Sequence, residues 1–159
     1  MRGKVLAEFL GTGLLVCAVV GSGIMAQRLF PGQEGLALLA NTLATVGALL
    51  TLILALGPVS GAHFNPVVTL DALRRGELSG GLAATYAGVQ ILGAIQGAIL
   101  ANAMFGRPLP EVATRLRTGG PLWLAEGVAT FTLLLVIRGC LRSKSPHTPF
   151  AVAGVIMGA

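Results

Sequence analysis

The chain has 159 residues, 54% of them hydrophobic and 11% charged, with a mean hydropathy of +0.83. Those values exclude an ordinary water-soluble domain and place the protein in a membrane with several spans. The net charge of +5, from 11 Lys+Arg against 6 Asp+Glu, gives no nucleic-acid interface, because the basic residues sit at the ends of apolar runs.

Val5 to Gln27 is apolar apart from Glu8, Thr12 and Ser22. It exceeds the roughly 20 residues that a spanning helix needs and is the first expected span. Arg2, Lys4 and the small residues Gly21-Ser22-Gly23 are also ingredients of a secretory signal peptide. Against that reading, the apolar run is longer than a normal h-region and carries an acid near its start. Cys17 reads as a small buried hydrophobe; with Cys140 so far away, neither a disulfide scaffold nor a zinc pattern follows. After the polar stretch Arg28 to Gly35 comes a second span, Leu36 to Leu56, whose Asn41, Thr42, Thr45 and Thr51 are too polar to face lipid throughout.

The segment Ser60-Gly61-Ala62-His63-Phe64-Asn65-Pro66-Val67-Val68-Thr69-Leu70 is polar and interrupted by Gly and Pro between two long apolar runs. Irregular backbone at membrane depth is tolerated only where it is buried in protein or lines a water-filled cavity, so the segment reads as a re-entrant loop on a solute path. Asn65 has the side chain of a helix cap and Pro66 suits the first helical position, which predicts a half-helix to about Leu73. At 1.5 Å per residue it rises about 12 Å, leaving the positive end of its dipole near mid-membrane and Arg74 and Arg75 at the surface. That end repels cations and offers donors, while extended carbonyls of Gly61, Ala62, His63 and Phe64 would offer acceptors. The competing reading is a surface loop with one capped turn. His63, a lone histidine, has no candidate metal partner.

Leu82 to Phe105 is the third expected span. Its Gly93-x-x-x-Gly97 allows close helix packing, and Gln90 and Gln96 are candidate interhelical hydrogen-bonders, with Gln90 also placed to hold the re-entrant loop. A loop with Arg107, Pro108, Pro110, Arg115 and Arg117 leads to a fourth span, Leu122 to Leu141, containing Glu126. A fifth apolar run starts near Pro149 and ends at Ala159. Its roughly 11 helical residues rise only about 16 Å against a hydrocarbon core of about 30 Å, so it cannot cross, and the chain reads as cut off at its C-terminus. Placing the N-terminus in the cytoplasm puts Arg2, Lys4, Arg74, Arg75, Arg138, Arg142 and Lys144 inside and Arg28, Arg107, Arg115 and Arg117 outside. Cytoplasmic loops collect basic residues, which favours this orientation.

The order of spans and the run from Ser60 to Leu70 resemble the first half of the aquaporin and glycerol-facilitator (major intrinsic protein) family. Ala7-Glu8-Phe9-Leu10-Gly11-Thr12 and Gln90-Ile91-Leu92-Gly93-Ala94 are similar to family segments in the same order. Two positions depart from its pattern: Val67, where the family usually has Ala, and Asp71, where a small or neutral residue is commoner. The resemblance implies an all-α membrane protein, an aquaporin-like right-handed helical bundle with an inverted repeat. About four full spans, one re-entrant half-helix and the start of a fifth span are expected in a single domain over 1–159. Residues 1–121 would be the first repeat, with the re-entrant loop at 57–74, and 122–159 an incomplete second. Ala7, Glu8, Thr12 and Leu15 recur as Ala125, Glu126, Thr130 and Leu133 at a constant shift of 118.

Within that family Glu8 and Glu126 would each brace a re-entrant loop; the competing reading lets Glu8 snorkel to the membrane surface. Asn65, Pro66 and Val67, with Gly61, Ala62, His63 and Phe64, would line the pore. Thr45 would fall in the selectivity constriction, where threonine favours glycerol-like solutes or small neutral metalloid acids such as arsenite; alternatively it hydrogen-bonds its own helix. A second half-helix and a selectivity arginine of the family have no counterpart in the sequence. The implied activity is passive passage of small neutral polar solutes and water by a homotetramer in the cell membrane, with no cofactor. No triad, phosphate loop or metal cluster points to an enzyme. The alternative is a non-conducting fragment acting as a structural or interaction subunit.

Overall fold

The structure, a computed structural model, describes residues 1–109 and 118–158; Pro110, Arg115, Arg117 and Ala159, named above, lie outside the described residues. Among the described residues there are six helices: α1 (Arg2–Leu29), α2 (Glu34–Ser60), α3 (Pro66–Arg74), α4 (Gly80–Met104), α5 (Gly120–Arg142) and α6 (Thr148–Gly158). Four of them, α1, α2, α4 and α5, are long and apolar enough to cross a membrane. The shortest of these, α5 with 23 residues, rises about 35 Å. The 9 residues of α3 and the 11 of α6 fall far short of a crossing.

Each long helix begins or ends beyond its apolar run, because backbone hydrogen bonding continues through the interfacial turns where polar side chains meet water. The largest difference is in α2, which runs to Ser60 rather than Leu56. Pro58 lies inside it and removes one N–H without ending it. Gly61, at φ 93°, closes the helix with its N–H on the Gly57 carbonyl at 2.9 Å, a left-handed cap that glycine adopts without strain. The re-entrant loop therefore starts at 61 and not at 57. Its backbone is not uniformly extended: Ala62 and Phe64 both have φ 48°, whereas Asn65, at φ −151°, is extended.

Helix α1 packs on α2 and α4, α3 on α4, and α6 on α2 and α5. The closest approach is between α1 and α4. A Cβ at Gly93 or Gly97 would overlap the backbone carbonyl of Phe9 or Gly13, respectively, so the two main chains are in contact. Polarity is inverted relative to a soluble protein: Glu8, Thr12, Ser60, Thr69, Asp71 and Gln90 are buried, while Leu38, Leu92, Leu124 and Phe131 are exposed by 60% or more. Lipid is the solvent for such a surface, and the interior is where polar groups find partners.

Candidate functional site

The site is built around one side chain. Glu8, with no exposed surface, lies two turns into α1, and four donors from three other elements reach its carboxyl. Oε1 accepts from Ser60 Oγ at 2.6 Å and His63 N at 3.0 Å; Oε2 accepts from Phe64 N at 2.8 Å and Gln90 Nε2 at 2.7 Å. A fully enclosed carboxyl with four partners is not snorkelling. The loop that it holds has no secondary-structure ladder, so these bonds satisfy the N–H groups of His63 and Phe64 that would otherwise be buried without partners.

This arrangement has a geometric consequence. In a trans peptide the N–H and C=O point in opposite directions. With the N–H groups of His63 and Phe64 turned to Glu8, the carbonyls of Ala62 and His63 point away from it.

A second tier fixes the loop from α4. Tyr86 donates its hydroxyl to the Ser60 carbonyl at 3.0 Å, and Gln90 Nε2 also reaches Thr69 Oγ1 at 3.0 Å. Thr69 lies 3.1 Å from His63 Nδ1, and the His63 ring meets Tyr86 edge to face with centroids 5.6 Å apart. His63 is thus held by Thr69 and Tyr86, and no metal-ligating cluster includes it among the described residues. Phe64 seats its ring over Gly11, where a Cβ would overlap it.

Asn65 caps α3: its Oδ1 accepts from Val67 N at 2.8 Å, with Pro66 in the first helical turn. That commits the acceptor end of the amide and leaves Nδ2 without a partner among the described residues. Val67 is 42% exposed, at the open end of the half-helix.

Gly61, Ala62, His63, Phe64 and Asn65 form one side of a cavity of about 270 Å³. Its apolar walls come from Leu49 and Ile53 of α2, Leu133, Ile137 and Leu141 of α5, and Val152 and Ile156 of α6; Arg75 and Glu77 are its charged lining residues. A second cavity of about 350 Å³ shares Asn65, Leu133 and Ile156 with the first and adds Glu126, Ala129 and Thr130. Asn65 therefore lines both cavities, and it shares the first with Ala62 and His63.

Two candidate residues lie apart from the Glu8 cluster. Glu126 is exposed on α5, borders the second cavity and has no hydrogen-bond partner among the described residues. Thr45 is one turn before Leu49 on α2 but does not line the first cavity. Its Oγ1 is buried with no partner among the described residues, so it does not bond its own helix as Thr51 does to Gly47 O at 2.8 Å.

The sequence reading missed the polar tie at the other end of α3. Asp71, 3% exposed, pairs with Arg75 one turn on and with Arg138 of α5, whose Nε lies 2.8 Å from Oδ1. Arg75 also forks onto Glu77, with both nitrogen–oxygen distances 2.9 Å, and this guanidinium holds the Glu77 carboxyl below the ordinary value of 4.5. An acid inside the half-helix and an arginine inside an apolar run were the available signals. Each is expensive alone, and together they imply a pair.

The chain matches the major intrinsic protein family over residues 1–159. It is 46% identical over 156 residues to aquaglyceroporin AqpS of Rhizobium meliloti (strain 1021), covering 98% of this chain and 66% of that protein. It is 33% identical over 164 residues to aquaporin Z of Rhodopseudomonas palustris (strain ATCC BAA-98 / CGA009), covering 94% and 68% respectively. With the lens fiber major intrinsic protein of Gallus gallus it shares 43% identity over 94 residues, 59% of this chain and 34% of that protein. The chain thus spans about two thirds of the length of the first two relatives. The all-helical, multi-span architecture agrees with a match that runs the whole length of the sequence, and the chain belongs to the major intrinsic protein family.

Proposed function

We propose that the protein is a passive channel for small neutral polar solutes, with glycerol-like molecules and water as its cargo and small neutral metalloid acids such as arsenite within the same chemical class. The observation that carries this reading is the position of Asn65 on the lining of both cavities, with its Nδ2 uncommitted and the Ala62 and His63 carbonyls turned away from Glu8. Donors and acceptors on one cavity, set in apolar walls, replace the hydration of a hydroxylated solute but not the shell of an ion. The positive end of the α3 dipole at Asn65 adds a barrier to cations. The names of the relatives, an aquaglyceroporin and an aquaporin, support the same cargo, and channel activity of this kind needs no catalytic residue.

In this reading Glu8 and Gln90 brace the loop, Gly61 to Val67 line the path, and Thr45 faces the constriction with the hydroxyl that has no partner among the described residues. Glu126 takes the role of Glu8 in the second repeat. The protein sits as a homotetramer in the cell membrane with its N-terminus in the cytoplasm, the side on which most basic residues then fall.

The test is stopped-flow swelling of vesicles carrying the protein, with water and glycerol permeabilities measured against empty vesicles. Asn65→Asp keeps a good cap, removes the amide donor and places an acid on the lining of both cavities. Flux in the wild type that falls to background in Asn65→Asp is the expected result. Background flux from inserted, folded wild type overturns the reading in favour of a structural or interaction subunit.

A further inference from the structure

We propose that Asp71 and Arg138 form a clasp that sets the distance between the half-helix and α5, and thereby the width of the conduit that Arg75 and Glu77 help to line. They are positioning residues for solute size. The proposal deepens the channel reading and rests on it.

The half-helix is already anchored without α5. Its N-terminal end is tied to α1 and α4 through Glu8, Thr69 and Gln90, and Val68, Thr69 and Ala72 are buried. Helix α5 is the opposite case. No residue of it is buried, it packs on α6, and Arg138–Asp71 is its one side-chain tie to another helix among the described residues. Yet α5 supplies one wall of the cavity, through Leu133, Ile137 and Leu141 at successive turns. The position of that wall depends on whatever holds α5.

The stoichiometry of charges shows what Arg138 is for. A carboxyl that is 3% exposed needs a cation. Arg75, four residues on at the C-cap of the same helix, supplies it without constraining any other helix. The second guanidinium is not needed for neutralisation. Because it comes from α5 and is itself 54% exposed, what it adds is a fixed distance between two helices. The alternating series Arg138, Asp71, Arg75, Glu77 then passes from α5 to the cavity, which Arg75 and Glu77 line.

Arg138→Gln removes the clasp and leaves Asp71 paired with Arg75. Permeabilities to water, glycerol and a four-carbon polyol are compared in vesicles. The ratio of polyol to glycerol is expected to rise by about threefold or more, the lower range of coupling between contacting residues, and Arg138→Lys should restore it. Loss of folded protein lowers all three fluxes together and cannot raise the ratio, so a raised ratio supports the clasp and an unchanged ratio in a variant that still conducts counts against it.

A second measurement does not depend on conduction. In a chain with Cys17→Ala and Cys140→Ala, the thiol of Leu141→Cys is expected to react faster with a charged reagent when Arg138→Gln is added. Asp71→Asn should give the same acceleration, and the double variant no more than either. If the parent chain conducts nothing, the channel reading fails while the thiol rates still decide the clasp. Unchanged rates in Arg138→Gln and Asp71→Asn overturn it, as does an unchanged polyol ratio in a conducting chain.

Discussion

Glu8 shows how one residue converts a costly burial into a structural joint. A carboxyl enclosed in protein at membrane depth is unfavourable unless its acceptor positions are filled, and here both oxygens take two donors each. Glu8→Gln is nearly isosteric but turns one oxygen into an NH2 group, which then faces either Ser60 and His63 N or Phe64 N and Gln90. Each buried donor left without an acceptor costs about 1–3 kcal/mol. The variant should lose at least that much stability in reversible SDS unfolding, and Glu8→Ala more. Asp71 is the same problem solved with cations instead of amides. The sequence marks it only as an unusual residue for its place. Its partner in α5 is 67 residues away, a separation at which no local pattern specifies pairing.

At the scale of the elements, small residues decide which helices touch. Tyr86, Gln90, Gly93 and Gly97 fall on one stripe of α4 at helical spacing, and all are buried. The first two hold the loop, and the last two let α1 approach. Gly97→Val is expected to force the main chains apart at a cost of about 1–3 kcal/mol, the usual range for overpacking a close contact. Gly88 of the same helix has open space around it. Gly88→Ala should therefore be neutral or stabilise by about 0.5–1 kcal/mol, since glycine is a poor helix former. Comparing the two in the same SDS unfolding assay separates contact from propensity, and equal effects would sink the contact argument. The stripe is legible in the sequence because it follows the helix period. The reach of α2 to Ser60 is not, since Pro58 suggests an earlier end, and the helix passes it at the loss of a single N–H.

The whole molecule is a packed group of α1, α2, α3 and α4 with a polar interior, beside the pair α5 and α6, of which α5 buries nothing. Its proposed orientation makes Cys140, near the end of α5, face the cytoplasmic side. With Cys17 replaced by Ser, a membrane-impermeant maleimide should label Cys140 in inside-out vesicles and not in right-side-out cells; the reverse pattern would invert the topology.

By itself the sequence determined the spans, the half-helix and the cap at Asn65. Those features answer to local rules: transfer of apolar side chains into lipid, a missing N–H at Pro66, and an amide oxygen two residues from a free N–H. Only the tertiary structure decided that the loop begins at Gly61 with a left-handed turn, that four donors converge on Glu8, and that Asp71 meets Arg138. The physical reason is that a buried polar group must find a partner but its own sequence does not say which one. The choice among chemically equivalent donors is made by where the packed helices bring them.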